Sequence, residues 1–207
     1  MHGYVGNKSA TLPLQLLGIE VDAVNSVQLS THTGYRGGIW GQRLGGEDID
    51  TLVRGLRGAG LLGAYSHVLS GYLGNVAALR AVLAAVRAVR EANPRAVYVC
   101  DPVLGDNGRL YCPAELVPVY RSEALPLATL LCPNQFEVRN GCIRGAGGLL
   151  SRVSAQERRR GGRVAEAGAL LMECAPRAER HTAVQRLPCT PTIASLHTLR
   201  PHPRRSC

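Results

Sequence analysis

Residues 75–100, NVAALRAVLAAVRAVREANPRAVYVC, change hydrophobic period once, and that change limits the architectures open to the chain. Val76, Leu79, Val82, Leu83, Val86 and Val89 recur at steps of three and four, with Arg80, Arg87 and Glu91 elsewhere on the wheel. The pattern predicts an amphipathic helix with Asn75 as its N-cap and Asn93-Pro94 as its stop. The run AVYVC at 96–100 then shows no alternation, as in a strand covered on both faces. On one side of this pair lies HVLSGY (67–72), a short β-rich run closed by glycine. On the other, 113–128 reads as helical, interrupted by Pro118 and Pro126, and ATLLC (128–132) as a further buried run. Strand, helix, strand, helix, strand predicts an α/β fold with a central, mostly parallel sheet flanked by helices. Upstream, VDAVNSVQLSTHTGY and IWGQRL, joined through Gly34 and the RGG at 36–38, predict a hairpin or flap.

This grammar stops near residue 138. Up to Glu137 the chain holds 11 Lys and Arg against 11 Asp and Glu; the remaining 70 residues hold 13 Arg against 4 Glu and carry the whole net charge of +9. They contain no Phe, Tyr, Trp, Lys or Asp. Without aromatic rings a segment lacks the side chains that bury most area, so a core of its own is hard to build. The expected division is therefore a partial α/β domain at 1–137 and an arginine-rich, disordered tail at 138–207. Its basic clusters ERRR (157–160) and RPHPRR (200–205) have no aromatic interleaved for base stacking, which argues against a nucleic-acid partner.

Seven cysteines are an odd number, and Cys100, Cys112 and Cys132 adjoin apolar runs, as reduced buried thiols do. Cys142, Cys174, Cys189 and Cys207, with His181, His197 and His202, lack the paired spacing of a zinc site. The start, MHGYVGNKSATLPL, has no long apolar run, and nowhere do 18 apolar residues follow one another, so the expectation is a cytosolic protein without a membrane span.

Ligands of open α/β sheets sit beyond the carboxyl ends of the strands. There the sequence places Gly71 and Tyr72, then Asp101 in DPVLGD with Asp106, then Asn134 and Glu137. Two carboxylates and a carboxamide on one edge suit Mg²⁺ with phosphate. An equally open reading is structural: Asp before Pro forms turns, and Glu in a first helical turn complements the dipole. GYVGN (3–7) lacks the G-K-[ST] end of a phosphate-binding P-loop.

GYVGNKSATLPLQLLGIEVDAVNSVQLSTHTGY, YVCDPVLGD and CPNQFE, in that order, resemble the pyridoxal kinases of the ribokinase-like superfamily from about Gly3 to Glu137. The resemblance implies transfer of the ATP γ-phosphate to the 5′-hydroxyl of pyridoxal, pyridoxine or pyridoxamine, with Mg²⁺ and a monovalent cation (K⁺ or Na⁺), in a cytosolic homodimer whose flap closes over the substrate. By position, Val5 and Thr33 would contact the pyridine ring, with His32 at the flap base and Tyr72 at the pocket wall. Asp101 would face the ATP phosphates and the metal; Asp106, Asn134 and Glu137 would complete the polar, cation-binding edge. Cys132 stands where the family usually has Thr, and a thiol is a poor ligand for a hard cation.

Two departures qualify that expectation. The family's N-terminal strand and the serine after it have no counterpart before Met1-His2. Nor is there a Gly-Thr-Gly-Asp-type motif, whose Asp is the family's general base; GAGGLL (145–150) has Gly148 where the acid belongs. The segment after Glu137 reads as an unrelated coding product, no catalytic residue is assigned, and turnover is expected to be impaired, since a missing general base alone removes roughly 10²- to 10⁴-fold in rate. The alternative is a non-catalytic form that binds vitamer or nucleotide, or dimerises with a full-length kinase. A sheet short of strands is also expected to be marginally stable.

Overall fold

A computed structural model describes residues 2–139 and 196–201. Its elements are α1 (Asn7–Leu16), β1 (Ile19–Val24), β2 (Val27–Leu29), β3 (Gly41–Arg43), α2 (Gly46–Gly58), β4 (His67–Ser70), α3 (Val76–Ala92), β5 (Val97–Cys100), β6 (Gly105–Asp106), β7 (Arg109–Leu110), α4 (Leu116–Val119), β8 (Leu130–Leu131), α5 (Gln135–Arg139) and β9 (Leu196–Pro201). The main sheet has the order β1-β9-β4-β5-β8; β2 pairs with β3 and β6 with β7 in two small hairpins.

The βαβ unit forms where the periodicity places it. Asn75 caps α3 by accepting from the Ala78 N–H at 2.7 Å, and the helix ends at Ala92, before Asn93-Pro94. Leu79, Val82, Leu83 and Val86 are buried, while Arg80 and Arg87 are exposed. Each such side chain contributes about 1.5–3 kcal/mol. β4 and β5 pair in parallel, Leu69 opposite Val99, and both strands are buried through Val68, Leu69, Ser70, Tyr98, Val99 and Cys100. β8 joins β5 in parallel, and although only Leu130–Leu131 are strand, Thr129 N–H to Tyr98 O (2.9 Å) and Cys132 N–H to Cys100 O (3.0 Å) extend the ladder at both ends. The flap is the β2–β3 hairpin, Val27 opposite Arg43.

Three features differ from the sequence reading. The helix expected at 113–128 is only α4, running into a π-type turn at Tyr120–Ala124. Pro118 supplies no amide for the helical ladder, and the turn widens behind it. Helices α1 and α2 carry no expectation at all: α2 contains Gly46, Gly55 and Gly58, which obscure the spacing of Ile49, Leu52, Val53 and Leu56. It packs on α3, and its first turn is closed by the Gly45 N–H donating to Asp48 at 2.7 Å.

The third difference lies in the arginine-rich segment, where Leu196–Pro201 is a strand and not a tail without structure. β9 runs antiparallel to both neighbours, so the sheet is mixed, with β1, β4, β5 and β8 in one direction. Its place is set by two rows of backbone hydrogen bonds, which composition does not reveal. The rest of the expected tail, with ERRR, Cys142, Cys174, Cys189, Cys207, His181 and His202, lies outside the described residues. No helix among the described residues is long and apolar enough to cross a membrane.

Candidate functional site

Because β1, β4, β5 and β8 point the same way, the loops that follow them share one edge of the sheet. Hydrogen bonds stitch that edge from end to end. Asn7, buried at the start of α1, donates to Val24 O (3.3 Å) and Asn25 Oδ1 (2.6 Å) just past β1. Ser26 Oγ donates to Tyr72 O at 2.8 Å, tying the loop after β1 to the loop after β4. The Asp101 N–H donates to Ser70 O at 2.9 Å, tying β5 to β4.

The most constrained part is the junction of the loops after β5 and β8. Glu137 is wholly buried. Its Oε1 accepts from the Leu104 N–H (2.8 Å) and its Oε2 from the Asn134 N–H (2.9 Å), while Asn134 Oδ1 accepts from the Glu137 N–H (3.0 Å). This reciprocal pair is a capping box for α5, built with Asn in the cap position. Asn134 also donates through Nδ2 to Gly105 O at 2.8 Å, so both residues hold the 101–106 loop in place.

Burial dominates the electrostatics. It pushes the Glu137 carboxyl up from 4.5 to about 7, against the amides of Leu104, Asn134 and Gly105, which favour the charged form, and with Asp106 adding repulsion. Asp101 is raised well above the ordinary carboxylate range, first by burial and then by the Glu137 charge. The Cys100 and Cys112 thiols are both pushed up to about 12, again mainly by burial, and are inert. Tyr98 shares a hydrogen bond with Ser70 Oγ (2.8 Å) beneath the edge.

The expected substrate residues lie on the flap side. Val5 is half-buried in the loop before α1, and His32 and Thr33 are exposed in the loop after β2. Those two loops meet: the His2 N–H donates to Ser30 O at 2.6 Å. His32 accepts from the Gly34 N–H through Nδ1 (3.1 Å) and packs edge-on against Tyr35, with centroids 4.6 Å apart. Tyr72 is buried, and its phenol is raised by burial and by Cys112, with Arg43 of the flap strand opposing.

The residues expected to hold cations are dispersed in their contacts. Asp106 caps its own turn, accepting from the Asn107 N–H at 2.7 Å, and Cys132 packs against the apolar pair Leu69 and Val99. Among the described residues no three His, Cys, Asp or Glu form a group able to hold a metal ion. Asp101 has no hydrogen bond to its carboxylate among the described residues. Sequence reasoning missed Asn7, Ser26 and Ser70, whose roles depend on partners 17 to 46 positions away.

No protein-family model matches the chain. Pyridoxal kinase from Arabidopsis thaliana is 54% identical over 137 residues, which is 66% of this chain and 44% of the relative. That from Homo sapiens is 49% identical over 142 residues, 66% of this chain and 45% of the relative. Among solved structures, pyridoxal kinase from Leishmania donovani in complex with ADP and pyridoxamine superposes with a TM-score of 0.65 at 47% identity, over 69% of this chain and 49% of that one. The Trypanosoma brucei enzyme gives 0.60 at 38%, over 70% and 49%. The chain thus spans about half the length of the proteins it matches, and over that span its fold is ribokinase-like.

Proposed function

We propose that this chain, two-thirds of which is homologous to pyridoxal kinases, presents the vitamer- and nucleotide-facing edge of such a kinase, for transfer of the ATP γ-phosphoryl group to the 5′-hydroxyl of pyridoxal, pyridoxine or pyridoxamine. The observation that carries the reading is the stitched edge, where Asp101 lies within reach of the Glu137 charge, beside the Asn134–Glu137 clamp, and its carboxylate has no hydrogen bond among the described residues. Val5, His32, Thr33 and Tyr72 face the pyridine ring in this reading, and Asp101 the phosphates.

Asp101 suits Mg²⁺, which takes one or two carboxylates together with substrate phosphates; bound there, the ion would neutralise developing phosphoryl charge. Glu137 and Asn134 position the loop that carries Asp101 and leave no carboxylate oxygen without a partner. A monovalent cation such as K⁺ or Na⁺ fits less well: Cys132 offers sulfur and Asp106 caps its own turn. The same reading places the protein in the cytosol as a homodimer. Leu12, Leu16 and Leu17 of and just after α1, each 60–79% exposed, support a packed interface.

A second reading is favoured by the sequence, which contains no Gly-Thr-Gly-Asp-type motif: binding of vitamer and nucleotide without turnover, alone or beside a full-length kinase. A thermal melt with pyridoxal, with Mg-ATP and with both tests the two together. Both expect a cooperative transition raised by either ligand, with Asp101→Asn abolishing the Mg-ATP increment and sparing the pyridoxal increment. Phosphate transfer to radiolabelled product then separates kinase from binder. No ligand-dependent rise would overturn both.

A further inference from the structure

β1 has one strand partner among the described residues, and that partner is β9. Six residue pairs, Ile19↔Pro201 to Val24↔Leu196, join β9 to β1, and four, His67↔Leu199 to Ser70↔Leu196, join it to β4. Adjacent strands lie ~4.8 Å apart, so β1 and β4 face each other across roughly twice that distance with β9 between them. Beside this ladder, side-chain bonds tie β1 to the neighbourhood of β4: Tyr65 OH donates to Asp22 Oδ2 at 2.8 Å, and Ser26 Oγ, just past β1, donates to Tyr72 O at 2.8 Å. The parallel part β4-β5-β8, by contrast, is held by its own ladders, with α3 as the crossover between β4 and β5.

We infer that Leu196–Pro201 is an intramolecular strap: the slot between β1 and β4 is a strand-docking site whose occupant is this chain's own segment, and its docking holds α1 and β1 onto the rest of the sheet. Antiparallel pairing on both sides satisfies backbone groups that would otherwise form two open edges. Pro201 sits at the strand end, opposite Ile19, where a missing N–H is tolerated, whereas a proline at 198 would interrupt the ladder. The inference stands on sheet topology and is independent of catalysis.

Amide hydrogen exchange tests it on the full chain, on Thr198→Pro, and on the chain ended at Ser195 with and without a peptide spanning 194–203. The expected result is at least ten-fold faster exchange at 19–24 in both altered chains, unchanged protection at 97–100, and restoration at 19–24 by the peptide. Equal protection at 19–24 in all chains would overturn the inference. So would equal loss at 97–100, which would make the strand part of one cooperative unit, or a dependence of protection on protein concentration in the full chain, which would assign the strand to a second copy.

Discussion

Replacing Glu137 by Gln separates the two roles that burial gives this side chain. In the native state the carboxyl titrates at about 7 and not near 4.5, so between these pH values the folded protein holds a proton that the unfolded chain has released. Stability contributed by the neutral form is therefore complete below about 4.5 and is lost as pH rises to about 7. A shift of this size corresponds to roughly 3 kcal/mol. Gln does not titrate, but its amide nitrogen must face either the Leu104 or the Asn134 N–H, each within 2.9 Å of a carboxylate oxygen now. One buried donor is then left without an acceptor, at a pH-independent cost of about 1–3 kcal/mol. Urea denaturation from pH 5 to pH 8 should show Glu137→Gln less stable than the parent at pH 5 and level with it, or ahead, at pH 8. In thermal melts that change amounts to roughly 6–12 °C for a chain of this size. Part of the titration will pass to Asp101, whose carboxyl is raised partly by the Glu137 charge. A stability difference that stays constant across this range would refute the argument that burial outweighs the amide donors.

Other substitutions test the scaffold. Asn75→Ala removes the acceptor for the Ala78 N–H and should lower stability by about 1 kcal/mol in urea titrations. Leu83→Ala, in the fully buried face of α3, should cost about 2–5 kcal/mol, seen as a lower denaturant midpoint at unchanged slope. Gly41→Ala should open the flap hairpin, because Gly41 has φ +143° and an added Cβ would run into the Gln28 carbonyl; proteolysis within 30–40 should accelerate while exchange at 76–92 stays the same.

The parts of the fold legible in the sequence are those whose signal is local. α3, β4 and β5 announce themselves by period and by caps, and Asp101, Asn134 and Glu137 by lying just past the strands. The β6–β7 hairpin was also within reach: Asn107-Gly108, with φ 50° and 83°, is the two-residue loop that a right-twisted hairpin prefers. What stayed hidden depends on distant partners. Ser26 matters through Tyr72, Glu137 through Leu104, and no pattern around either residue reveals that pairing. The residues expected to hold cations show the limit from the other side. They follow the strands at one edge of the sheet, but Glu137 and Asp106 engage backbone amides instead of gathering around one point.

Pairing between β1 and β9, strands far apart in sequence, also sets an order of events during synthesis. The β4–α3–β5 unit is contiguous in sequence, whereas β1 must wait for a partner made much later. With roughly 170 residues between them and translation at about 5–20 residues per second, β1 waits on the order of 10–30 s with an open edge. The open edge of β1 is thus exposed to chaperones, and to pairing with neighbouring chains on a polysome, in the interval before Leu196–Pro201 appears.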